Sequence, residues 1–248
     1  MHISDDLFLG AAQTYMGVNT NSALGDPSPM DLGVGPLGRV YCFDSVPLAK
    51  GAAVIAAAAV WTGAITLTAG TGTTSVVRAD GVTVVQLDQP RAVSITTGAG
   101  TVTGRNVTIS GYDYYGQPMS EVIAKGTVQS TTVNGKKAFF QIASASISGS
   151  AVVTVSVGTT DIIGLPLRVT DAGYISRAGW NNTLAEDAGT FVSAVTTTAT
   201  TTTGDVRGTY VPSSTPDGSK RLVMGLFVPG IAAGPNATRV GALGVTQA

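Results

Sequence analysis

Histidine and cysteine occur once each, as His2 and Cys42. One cysteine excludes an internal disulfide. A histidine-based catalytic centre or zinc site would have to rest on one residue near a terminus, which the chemistry of such sites argues against. Charge is also scarce. Asp, Glu, Lys and Arg make up 12% of the chain, against roughly 25% in an average soluble protein. The 14 basic and 15 acidic residues leave a net charge of −1. The basic residues are scattered, with no stripe among Arg78, Arg91, Arg105, Lys125, Lys136, Lys137, Arg168, Arg177, Arg207, Lys220, Arg221 and Arg239. Neither nucleic acid nor an anionic membrane is therefore an expected partner. The apolar run GAAVIAAAAVW, Gly51 to Trp61, falls short of the roughly 20 residues that span a bilayer. The opening MHISDDLFLG has no basic n-region, which predicts no secretory signal. The N-x-T sequons at Asn106, Asn181 and Asn236 then read as chance in a threonine-rich chain.

What is abundant points one way. Hydrophobic residues make up 44% and glycine numbers 32 of 248, nearly double the usual ~7%. Thr, Val and Ala fill much of the rest, a composition suited to strands and tight turns. Alternation begins after Lys50. AITLTAG (64–70) alternates apolar residues with threonine, and SVVRADGVTVVQLD (75–88) sets Asp80-Gly81 between two valine-rich runs, a hairpin signal. PRAVSITT (90–97) places Val93 and Ile95 on one face and Ala92 and Ser94 on the other, and RNVTISGYD (105–113) turns Val107 and Ile109 inward. Strand-length runs follow in SEVIAKGTV, KKAFFQIASASI and AVVTVSVG. The expected fold is all-β: an antiparallel β-sandwich, jelly-roll or Ig-like, with an extended N-terminal arm and a β-rich C-terminal part. The run 51–61 fits either a helix, through its alanines, or a short buried segment.

The organisation reads in three parts. Residues 1–50 lack a sustained period, and DPSPMDLGVGPLGR (26–39) is too rich in Pro and Gly for a regular helix or a central strand. With Leu7, Phe8, Leu9, Tyr15 and Met16 as apolar anchors, this segment reads as an arm that orders against a neighbour. Residues 51–170 form the main sandwich. Residues 171–248 form a β-rich extension packed on it or completing it. Within that extension NNTLAEDAG (181–189) reads as a loop. The threonine run from Thr196 reads as an edge or projecting strand pair with a loop at PSSTPDGS, LVMGLFVPG (222–230) as the last strong strand, and the tail to Ala248 as small and flexible.

No catalytic set emerges. The carboxylates are sparse and mostly beside Gly or Pro, where Asp stabilises turns. Glu186-Asp187 is the one adjacent acidic pair beyond the N-terminus, and a solvated turn is its simplest reading, with a divalent ion as the alternative. There is no G-x-S-x-G elbow, phosphate-binding lysine loop or C-x-x-C. GAGTVTG (98–104) reads as a loop, and Cys42, between Tyr41 and Phe43, as a small buried residue. No catalytic, cofactor or metal residue is assigned. A glycosidase would need two carboxylates about 5–10 Å apart in a cleft, which nothing in the sequence singles out.

GYDYYGQPMSE (111–121) packs Tyr112, Tyr114 and Tyr115 around a turn. Gly116 suits a φ > 0 position, and Pro118 suits a strand start. The segment reads as a β-hairpin whose tyrosines, stiff and amphipathic, make contacts with another protein or, as a lesser alternative, a sugar or base platform.

These same segments carry a resemblance. P-R-x-V-x-I-T at 90–96, T-I-x-G-x-D-x-x-G-x-x-x-x-E at 108–121, K-x-F at 137–139 and V-x-V-G-T-x-D-x-x-G-L-P at 155–166, with a further match over 208–228, are similar to a class of tailed-phage virion proteins. The match covers about half the chain and leaves the first 50 residues out. It implies a cement or decoration protein on the capsid exterior, bound to the major capsid protein and self-associating as a dimer or trimer. The expected contacts are Leu7, Phe8, Leu9 and Tyr15 in the arm and Tyr112, Tyr114 and Tyr115 at the turn. The alternative is a head fibre or adhesin that binds a host-surface glycan or receptor.

Overall fold

The computed structural model describes residues 2–8, 36–100, 105–126, 130–150, 153–228 and 247. In chain order the strands are β1 (His2–Phe8), β2 (Pro36–Ser45), β3 (Ala56–Ala59), β4 (Thr62–Ile65), β5 (Thr73–Val77), β6 (Thr83–Thr97) and β7 (Arg105–Tyr112). They continue with β8 (Pro118–Gly126), β9 (Thr132–Ser150), β10 (Val155–Gly164), β11 (Ile175–Trp180), β12 (Thr190–Val192), β13 (Thr209–Val211) and β14 (Leu222–Val228). Among the described residues a 3₁₀ turn, Ala172–Tyr174, is capped by the Asp171 carboxylate. The fold is all-β and antiparallel, a curled, sandwich-like arrangement of two sheets.

The larger sheet runs β12-β13-β10-β6-β9-β7-β8, with β3 on β10, β4 on β9 and β5 on β6. Two long strands set its curl. β6 spends its first half on β5 and its second on β10. β9 pairs with β6 early, then with β4 along the same edge, while β7 occupies the other edge. A strand that changes partners midway must bend, and the bend wraps the sheet around its own apolar face. Ile55, Val93, Ile95, Val107, Ile109, Phe139, Ile142 and Val157 meet there without solvent exposure. Each such side chain contributes about 1.5–3 kcal/mol by leaving water. The face expected for Val93 and Ile95 and the inward turn of Val107 and Ile109 are both found.

The smaller sheet runs β1-β2-β14-β11. Leu222, Met224 and Leu226 alternate along β14 and are fully buried. With Tyr41 and Phe43 of β2 they pack on Ile163, Leu165, Leu167, Val169 and Tyr210. This second core joins the small sheet to the end of β10, the segment after it, and β13.

Several expectations change here. Residues 36–45, placed in the N-terminal arm, are an interior strand of the smaller sheet, paired with β1 on one side and β14 on the other. The Pro and Gly content of 26–39 argues against a central strand, yet Pro36 to Arg39 belong to one. Pro36 is its first residue, where the missing N–H costs least. The run 51–61 contains no helix. Ile55 N–H donates to the Val157 carbonyl (3.0 Å) and β3 pairs with β10, so tertiary pairing overrides alanine's helix preference. The threonine run itself lies in the loop that joins the edge strand β12 to β13, its inner neighbour. Of the tail read as flexible, Gln247 is described, and it is buried. Cys42 is half-buried rather than buried.

Candidate functional site

The tyrosine segment is the hairpin turn expected. β7 and β8 pair as far as Tyr112 and Pro118, and residues 113–117 close the turn. Asp113 organises it: its Oδ1 accepts from the N–H of Tyr115 (2.8 Å) and of Gln117 (2.9 Å). Gly116 takes φ 77°, the left-handed region glycine enters without cost. The second carboxylate oxygen of Asp113 pairs with Arg207 at 2.7 Å, and both side chains are buried.

The tyrosines are fixed from within the molecule. Tyr112 lies under the Arg78 guanidinium, 3.5 Å from the ring centre, and is half-buried. The Tyr115 hydroxyl donates to the Pro166 carbonyl (2.8 Å), and its ring faces Arg207 at 4.9 Å. Tyr114 stands edge-on to Tyr115 and to Phe140, with centroids 5.3 and 5.4 Å apart. Tyr114 and Tyr115 keep 40% and 39% of their surface exposed, so they present a stiff aromatic face rather than a loose tip. Burial raises the hydroxyl pKa of Tyr115 and, further, that of Tyr41 beside the pair. Of the arm residues singled out, Leu7 and Phe8 lie in β1; Leu9 and Tyr15 lie outside the described residues.

Behind the turn is a feature the sequence did not disclose. Among the described residues, Arg91, Asp113, Glu121, Lys137, Asp205 and Arg207 are all buried. In mid-strand, the N–H groups of Lys136, Lys137 and Ala138 in β9 donate to side-chain carboxylates. Glu121 accepts from Lys136 (2.6 Å) and Lys137 (3.3 Å), and Asp205 accepts from Ala138 (2.9 Å). Asp205 also accepts from the Arg207 N–H and the Gln247 side-chain amide, both at 2.8 Å. The Lys137 ammonium donates to the Ser120 carbonyl (3.0 Å). Two carboxylates thus stand in for a missing strand partner, and buried charge is tolerated because it is hydrogen-bonded. Burial raises the pKa of both carboxyls and lowers that of Lys137, against the opposing pull of their partners.

Asp187, half of the adjacent acidic pair, is a hydrogen-bond hub rather than a solvated turn. It accepts from Trp180 Nε1 (2.9 Å), Ser213 N–H (3.0 Å), Ser213 Oγ (2.6 Å) and the Tyr210 hydroxyl (2.6 Å). Partial burial pushes this carboxyl up, but the donors outweigh it and hold it below the usual range. Its lone pairs are spent on protein donors, which leaves little for a cation.

The buried cluster lies inside the fold, so these groups act as framework. The aromatic face at 114–115, by contrast, is open to solvent. Comparisons with protein-family models, with curated proteins and with solved structures find no match.

Proposed function

We propose that this chain is a structural protein of a tailed-phage virion, a cement or decoration protein that lies on the outside of the capsid. In this reading it binds the major capsid protein shell, bridges neighbouring capsomers and self-associates as a dimer or trimer, since closed symmetry is the common solution for identical copies. One observation carries the reading: the residues that bear the resemblance are framework residues. Arg91, Asp113, Glu121 and Lys137 belong to the buried charged set. Gly111 and Gly164 sit where an added Cβ would meet Gln141 O at 2.0 Å and Ala138 Cβ at 2.3 Å. A motif made of such residues specifies how a chain is built, so the likeness to virion proteins is one of construction.

The mechanism would be additive. Many copies each bury an interface of roughly 1,200–2,000 Å², and short edge strands such as β12 offer backbone groups to a neighbour. Low charge suits surfaces that are covered rather than solvated.

The test is co-sedimentation of the purified protein with capsids that lack it, followed by band densitometry. Saturable binding at a copy number comparable with the major capsid protein is the expected result. No binding, or a few copies per particle, would overturn the proposal and favour the fibre or adhesin alternative.

A further inference from the structure

A cavity of about 310 Å³ opens where the two sheets meet, beside the tyrosine turn. Its walls are Phe43 from β2, Tyr114 from the turn, Phe140 from β9, and Pro90 and Pro166. Phe43 is buried and Tyr114 is 40% exposed, so one aromatic ring forms the floor and another the accessible rim. The volume lies at the low end of the ~300–1,000 Å³ range of small-molecule clefts, enough for one small ring.

The polar lining is what singles this cavity out. Gln89 is 5% exposed, and its Nε2 has no hydrogen-bond partner in the protein. Its Oε1 accepts from the Ser45 hydroxyl (2.5 Å). A buried orphan polar group carries a cost that a ligand can relieve. Two carboxylates complete the lining, and each already has a cation. Asp88 pairs with Arg91 at 2.9 Å, and Asp44 pairs with Arg221. The site therefore offers acceptors without net charge. That favours a neutral molecule carrying hydroxyls over an anion or a free cation.

We infer that this cavity binds one pyranose unit of a neutral carbohydrate. C–H faces of the ring would lie against Tyr114 and Phe140, hydroxyls would donate to the carboxylates, and the Gln89 amide would hydrogen-bond one ring hydroxyl. Apolar walls with a few fixed polar groups are the usual make-up of such a site. The inference does not depend on the capsid reading, since a capsid-bound or a free copy presents the same cavity.

The test is saturation-transfer NMR on the full chain with methyl α-D-glucopyranoside, methyl α-D-galactopyranoside, methyl N-acetyl-β-D-glucosaminide and oligosaccharides of the same units. Transfer to ring C–H protons of at least one is expected. Transfer to an oligosaccharide but to no monosaccharide would place the bound unit within a polymer. Tyr114→Ala should abolish the signal. Gln89→Leu, which removes the orphan amide at similar volume, should weaken binding about tenfold, the effect of losing one buried hydrogen bond. Tyr112→Ala, whose ring lies under Arg78, should leave binding intact, and unchanged melting curves show that each variant is folded. No transfer to any probe, or transfer that survives Tyr114→Ala, overturns the inference. Capsid co-sedimentation of Tyr114→Ala separates the two ideas: unchanged capsid binding with lost sugar binding is the expected pair.

Discussion

Single residues in this chain are constrained by what lies within a bond's length of them. Gly111 and Gly116 sit in one eleven-residue stretch, yet only one of them is confined by packing. An added Cβ at Gly111 would lie 2.0 Å from the Gln141 carbonyl oxygen, whereas Gly116 has open space and φ 77°. Gly111→Ala should cost about 3 kcal/mol by urea unfolding, because strand β7 must move away from β9. Gly116→Ala should cost only about 1 kcal/mol, the left-handed penalty alone. Equal effects would refute the distinction. Asp187 makes the second prediction at this scale. Its carboxyl is held below its ordinary range, so its contribution is present above the unfolded pKa near 4 and fades as pH falls through the lower folded value. Asp187→Asn should destabilise the protein by about 1–2 kcal/mol at neutral pH, a figure kept modest because the group is partly exposed. The difference should vanish in strong acid, with Trp180 fluorescence as the local reporter. A pH-independent difference would count against the hub.

At the scale of elements, the decisive feature is β9, whose mid-strand N–H groups are satisfied by Glu121 and Asp205. Asp205→Ala would strip the acceptor from Ala138, Arg207 and Gln247 together. Breaking a buried charged set by removing one member typically costs 3–5 kcal/mol. The expected outcome is a large drop in melting temperature, with faster hydrogen exchange at Ala138. A surface-like loss under about 0.5 kcal/mol would show that the carboxylate is dispensable. Much of the element pattern was legible beforehand. The Asp80-Gly81 hairpin forms with Gly81 at φ 83°, and the turn at Gly116 forms as its residues imply. The carboxylate pairing was not legible, because Glu121 and Asp205 lie far apart in sequence and nothing local ties either of them to the N–H groups of β9. Ala56–Ala59 stayed open between helix and short buried segment for a related reason: its local preference is helical, and only β10 makes it a strand.

The whole molecule is joined by chain segments from opposite ends. β2 lies between β1 and β14, so the division at residue 50 cuts through the smaller sheet. A truncation that removes residues 1–50 should therefore unfold that sheet and expose Leu222, Met224 and Leu226, now fully buried. One that stops before Pro36 should keep the sheet apart from β1. Circular dichroism and thermal unfolding of the two truncations would check this, and equal stability would refute it. Any trial of an N-terminal arm in capsid binding has to use the shorter truncation, or loss of binding would report loss of fold.

The sequence by itself determined the class of this protein. Alternation of valine, isoleucine and threonine, with glycine at the turns, leaves an antiparallel all-β chain as the economical way to bury its apolar face, and those signals act over neighbours a few residues apart. Tertiary structure decided everything that depends on distant partners. It put Pro36–Ser45 inside a sheet, drew Asp113 to Arg207, gave β9 two carboxylates for partners, and closed Gln89 into an aromatic cavity between two sheets. Backbone preference is a local quantity, whereas burial and hydrogen-bond satisfaction are settled only when remote segments meet.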